Sequence, residues 1–175
     1  MPIVEPLICG FSRRRIVSRP PRDPRDTRNG TYFVTSSTAG KRRLLQSDAM
    51  ATLLIEVLYK YRQATQYLLH EFVIMPNHVH LILTTPADIT LERAMQFIKG
   101  NSSFRAGKEL GLSLGMWQRG FGDHRILNAP DFRRHRDYVR NNPVKASLVQ
   151  TADQYPFSSA WPTREVDPPP IHLRG

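Results

Sequence analysis

The segment Met75-Pro76-Asn77-His78-Val79-His80-Leu81-Ile82-Leu83 sets two histidines two residues apart at the head of an apolar run. Alternate residues of a strand project to one face. The two imidazoles are therefore expected side by side, with Val79, Leu81 and Leu83 turned the other way into a core. Neutral imidazole nitrogens suit divalent cations. A histidine pair on a strand is also compatible with plain hydrogen bonding at a surface, so a second constellation matters: Tyr138-Val139-Arg140-Asn141-Asn142-Pro143-Val144-Lys145.

Tyr138 and Asn142 are four apart and share a helix face if the helix persists that far. Pro143 disfavours helical backbone at Asn142, which predicts Asn142 at the C-terminal cap with its amide free to turn inward. If this helix lies across the sheet face bearing His78 and His80, two imidazoles and an amide oxygen make a three-ligand set. Such an N,O site suits Mg²⁺ or Mn²⁺. A phenol attacking a DNA phosphodiester forms a covalent phosphotyrosine that conserves the bond for rejoining, while a metal polarises the scissile phosphate. No acidic residue accompanies the histidines in sequence, which favours the tyrosine over water as nucleophile. The rival readings are a hydrolytic metallonuclease, and a nucleic-acid-binding module in which Tyr138 only packs its helix.

Charge points to the same class of partner. The 175 residues carry a net charge of +10 with a pI near 10.4, as expected for a polyanion binder. Residues 1–28 hold Arg13, Arg14, Arg15, Arg19, Arg22, Arg25 and Arg28 among five prolines and read as a flexible basic arm. Residues 93–145 hold eleven Lys and Arg against four acids. Lys41, Arg42, Arg43, Arg133, Arg134, Arg136, Arg140 and Lys145 are the candidate phosphate contacts. No run is long and apolar enough for a membrane span, and residues 1–10 lack the basic leader of a secretory signal. Cys9 is the single cysteine, so intramolecular disulfides and Cys-rich zinc sites are excluded. A cytoplasmic setting is expected.

The elements that must position these residues follow from periodicity. Residues 30–36 read as a first strand. Ser47 caps a helix with Met50, Leu53, Leu54, Val57, Leu58 and Tyr61 on one stripe. Two strands follow, about Tyr67–Met75 and His78–Thr84, joined at Pro76-Asn77. Thr90 caps a second helix that runs on towards Leu110, with Gly111 ending it. Asp123–Leu127 is a weaker fourth strand, and a third helix runs from about Asp131 to Asn141, stopping near Pro143. Asp123-His124 is either a hydrogen-bonded turn or a substrate-positioning pair. Trp117 reads as a loop anchor rather than a base-stacking platform. The order β-α-β-β-α-β-α predicts an α+β fold, the ferredoxin-like split βαβ with a four-stranded antiparallel sheet, plus a C-terminal tyrosine-bearing helix. Residues 158–175, with Pro162 and Pro168 to Pro170, read as an extended or polyproline tail. The expected division is an arm over 1–28, a domain over 29–161 and a tail over 162–175.

FVIMPNHVHLIL, MQFIKG, MWQRGFGDH, DFRRHRDYVRNNPVKASLV and YPFSSA, in that order, resemble the blocks of the REP-associated tyrosine transposases. These belong to the wider HUH single-tyrosine transposases. The resemblance spans roughly Gly30 to Trp161. It implies a ferredoxin-like catalytic domain, a divalent metal, and cleavage of single-stranded DNA through a 5′-phosphotyrosine at Tyr138. It places the metal-binding pair on His78 and His80 and the third ligand, a glutamine in more distant relatives, at Asn142. The implied partner is single-stranded or hairpin DNA; monomer and homodimer are both compatible.

Overall fold

Strand β1 (Thr31–Ser37) is the spine of a four-stranded antiparallel sheet with order β2-β3-β1-β4, where β2 is Leu68–Met75, β3 is His78–Thr84 and β4 is Gly122–Ile126. This computed structural model describes residues 26–112 and 115–174. The proposed arm therefore lies almost wholly outside the described residues, as does Cys9. Of its arginines only Arg28 is described, paired with Asp26 at 2.9 Å.

Helix α1 (Asp48–Gln63) starts where Ser47 accepts a hydrogen bond from Met50 N–H. Helix α2 (Leu91–Leu110) starts at Thr90, whose hydroxyl accepts from Arg93 N–H, and ends at Gly111 with φ +65°, the left-handed backbone that glycine adopts without a Cβ clash. The apolar stripes of α1 and α2 cover one sheet face, burying Leu54, Leu58, Ile98, Val34, Leu81 and Leu83 in the larger core. Helix α3 (Ala129–Lys145) covers the opposite face over a smaller core of Val73, Met75, Ile82, Ile126, Phe132 and Val139. The result is the expected α+β ferredoxin-like sheet with two helices on one face and the tyrosine helix on the other.

Two expectations are corrected. Helix α3 does not stop before Pro143; it continues to Lys145, with Pro143 inside it. Pro143 is buried, so its ring fills space within the fold. The missing N–H falls in the last turn, where Ala146 N–H donating to Asn142 C=O and Leu148 N–H donating to Pro143 C=O close the end. A proline so near a helix end forfeits one bond while its ring gains burial. Asp123-His124 is not a turn but part of β4, with His124 opposite Phe33 of β1.

The segment after α3 folds back along the free edge of β2. Ile74 N–H donates to Phe157 C=O, Ser159 N–H to Phe72 C=O, and Asp167 N–H to Leu69 C=O. Asp167 accepts from Arg62 Nε and Nη2, each at 2.9 Å, and Leu173 is buried in the core beneath α3. An open β edge is thereby closed.

Candidate active site

Strand register sets the site's floor. His78 pairs with Met75 and Ser37, and His80 with Val73 and Thr35. Both imidazoles thus rise from the face that α3 covers, their ring centroids 4.8 Å apart. Each ring is oriented through Nδ1. His78 Nδ1 lies 2.7 Å from Asn77 Oδ1, an acceptor, so Nδ1 carries the proton and Nε2 carries the lone pair. His80 Nδ1 is 2.9 Å from the Thr35 hydroxyl.

His80 is 4 % exposed, and its Nε2 is buried without a hydrogen-bond partner among the described residues. A buried polar atom left unpaired costs about 1–3 kcal/mol. Burial, with a smaller contribution from His78, pushes the His80 imidazole down to about 3. Burial and the nearby Lys41 ammonium lower His78 as well. Both rings are therefore neutral lone-pair donors at physiological pH. Two neutral imidazoles, one with an unsatisfied buried nitrogen, fit a divalent cation.

Helix α3 brings Tyr138 to this pair. The Tyr138 ring sits edge-on to His80 with centroids 5.2 Å apart and edge-on to Phe33 at 5.8 Å. It is 40 % exposed, more open than a packing aromatic in a dry interface. Lys145 Nζ lies 5.3 Å from the ring centroid. Asn142 is half-buried one turn beyond Tyr138, within the helix rather than at its cap. No hydrogen bond joins its side chain to either imidazole among the described residues.

The candidate phosphate contacts separate by what already holds them. Arg42 donates to the carbonyls of Ala39 and Gly115. Arg134 pairs with Asp131 at 2.6 Å. Arg140 pairs with Glu71 at 2.8 Å, a carboxylate 3 % exposed on β2, which also accepts from the Ser159 hydroxyl. Arg136 pairs with its neighbour Asp137 on the surface. Arg43 lines a cleft of about 240 Å³ with Pro76, Asn77, His78 and Leu148, and Lys41 lies close enough to act on His78. Arg133 makes no ion pair among the described residues. Trp117 is the anchor expected of it, donating from Nε1 to the Ser102 hydroxyl at 3.0 Å.

Sequence reasoning missed the residues that orient the site. Phe33 and Thr35 are visible only as a strand alternation, and their contact with His80 depends on the β1–β3 register. Glu71 sits at a register shift in β2, so its face is not legible from alternation. The grouping of His124, Asp131 and His135 had one local signal, the four-residue spacing of Asp131 and His135.

Comparison with known proteins gives a consistent set. The family described as "Transposase IS200 like" matches residues 27–142, more than half of the chain. The REP-associated tyrosine transposase of Escherichia coli (strain K12) is 29% identical over 133 residues, covering 75% of this chain and 77% of that protein. A Haemophilus influenzae protein, named as a candidate REP-associated tyrosine transposase, is 27% identical over 146 residues, covering 76% and 81%. A solved REP-associated tyrosine transposase bound to a REP hairpin superposes with a TM-score of 0.64 at 29% identity, over 75% of this chain and 77% of that chain.

Proposed function

The chain belongs to the IS200-like transposase family, and from that premise we propose that it cleaves and rejoins single-stranded or hairpin DNA with Tyr138 as nucleophile. One observation carries the reading. The exposed Tyr138 ring lies 5.2 Å from the His80 ring, whose buried Nε2 has no partner among the described residues.

The Tyr138 phenolic oxygen attacks a backbone phosphorus as the bond from phosphorus to the 3′ oxygen breaks. The phenolic proton is lost and the leaving oxygen takes one up, giving a 5′-phosphotyrosine and a free 3′ hydroxyl. Attack by another 3′ hydroxyl reverses the sequence and releases the tyrosine, so no bond energy is lost to water. His78 and His80 are the proposed metal ligands with Asn142 as the third. A bound Mg²⁺ or Mn²⁺ supplies Lewis-acid polarisation of the phosphate oxygens. Thr35 and Asn77 hold the two rings in the tautomer and orientation that present Nε2, the usual role of partners behind ligating histidines. Lys145 brings positive charge beside the phenol, where the phosphate must come. Lys41, Arg43, Arg133 and Arg136 are the proposed strand contacts. The REP hairpin bound by the solved relative is the natural first substrate to try.

The test is incubation with a labelled hairpin oligonucleotide and Mn²⁺, followed by denaturing electrophoresis. The wild-type chain is expected to give a denaturant-resistant protein–DNA band. Tyr138→Phe is expected to lose that band, a fall of roughly 10³-fold or more, while still shifting the DNA in a native gel. Cutting by Tyr138→Phe would indicate a hydrolytic metallonuclease, and DNA binding without an adduct by wild type would indicate a binding module.

A further inference from the structure

Beyond the His78/His80 pair, the same face carries a second group of ligand atoms that no step above uses. His124 on β4, Asp131 in the first turn of α3 and His135 one turn later each offer an atom within 4.8 Å of the others. We infer that these three side chains form a separate divalent-cation site, of the zinc class, that ties the tyrosine helix to β4.

The donor set argues for that class. Two imidazoles and one carboxylate are borderline ligands suited to Zn²⁺, which takes three protein ligands plus water and holds them at about 2.0–2.2 Å. His124 Nε2 lies 2.8 Å from Asp131 Oδ2, while His135 Nδ1 donates to the Asp131 main-chain carbonyl at 2.9 Å, which leaves Nε2 as the lone-pair atom of that ring. One ligand atom from each of the three lies within 4.8 Å of the others, and modest side-chain shifts close that spacing onto an ion. His124 is the adjustable member, its side chain 49 % exposed against 11 % for Asp131 and 16 % for His135, so the site opens to solvent on one side.

The carboxylate is preset. Asn128 caps α3 by accepting from Asp131 N–H at 2.9 Å, which fixes the first turn. Arg134 occupies Oδ1 at 2.6 Å, leaving Oδ2, the oxygen facing His124, as the ligand. Both carboxylate oxygens already face donors, Oδ1 the Arg134 guanidinium and Oδ2 the His124 ring nitrogen at 2.8 Å. His124 need only move its ring proton to Nδ1, which costs no net charge.

The site shares no residue with the proposed catalytic pair, yet it bears on it through one ring. His135 stacks on His124 with centroids 4.7 Å apart and contacts Phe33 at 4.7 Å. Phe33 in turn touches His80 and Tyr138. An ion here would fix the turn of α3 immediately before the tyrosine.

The test counts metal on the full-length protein, stripped with chelator and then equilibrated with Zn²⁺ alone, with Co²⁺ absorption as a second readout. His124→Ala, a change at an exposed side chain, and Asp131→Asn are each expected to bind one equivalent fewer than wild type. The double variant His78→Ala/His80→Ala is expected to keep one equivalent. Zn²⁺ should also raise the melting temperature of wild type more than that of His124→Ala. If the His78/His80 pair bound nothing, wild type would hold one equivalent and His124→Ala none, so failure there is distinguishable. An unchanged count in His124→Ala and Asp131→Asn overturns the second site.

Discussion

His80 shows how a residue can be held in a costly state. Its imidazole is buried with Nε2 unpaired among the described residues and stays neutral down to about pH 3. In the unfolded chain it would take a proton near 6.5, its ordinary value. Between those limits the unfolded state binds more protons than the folded one, so stability rises with pH and is lost as pH falls below about 6.5. His78 and His70 are lowered in the same direction by burial. The depressed carboxyls of Asp131 and Asp167 add their own loss only below their ordinary 3.8. Urea unfolding of the metal-free protein at about pH 6.5 and about pH 4.5 isolates the histidines. The stability should fall by roughly 1–3 kcal/mol over that window, and by visibly less in His80→Gln. A flat profile would mean that His80 is not held neutral by the fold.

At the level of elements, the attachment of α3 decides whether Tyr138 reaches its place. Arg140 pairs with buried Glu71, and Leu173 closes the core under the helix. Removing one partner of a buried pair strands the other charge, typically at about 3–5 kcal/mol. Arg140 is partly exposed, so Arg140→Met should cost about 2–3 kcal/mol of stability in chemical denaturation. An Arg140 that served only to bind phosphate would weaken DNA binding and leave stability untouched. The elements themselves are legible in the sequence because their signals are local: the Ser47 and Thr90 caps, the stripe of α1, Gly111 and the alternation around His78. The end of α3 is not, because Pro143 has a local meaning, helix stop, that tertiary burial overrides. The contacts of Thr35, Phe33 and Glu71 join residues far apart in sequence, and the closure of the β2 edge by residues 157–167 is equally remote. Nothing in a single chain announces a register.

For the whole molecule the net charge of +10 is not one uniform field. Arg42, Arg134 and Arg140 are engaged by carbonyls or carboxylates of the chain itself, while Lys41, Arg43 and Lys145 surround the histidine and tyrosine pair. Removing one phosphate-binding side chain should reduce the slope of log affinity against log salt by about 0.7 on single strands. Fluorescence anisotropy across a salt series is expected to show that reduction for Lys41→Ala, Arg43→Ala and Lys145→Ala, and a much smaller one for Arg42→Ala. Equal slopes across all four variants would show that the strand runs elsewhere. The 5.2 Å between His80 and Tyr138 is a distance within one polypeptide, and this has a genetic consequence. If each copy carries a whole cutting centre, a chain crippled at Tyr138 and another crippled at His80, mixed in one tube, should not rescue each other. Recovery of adduct in such a mixture would reveal that helices are traded between copies.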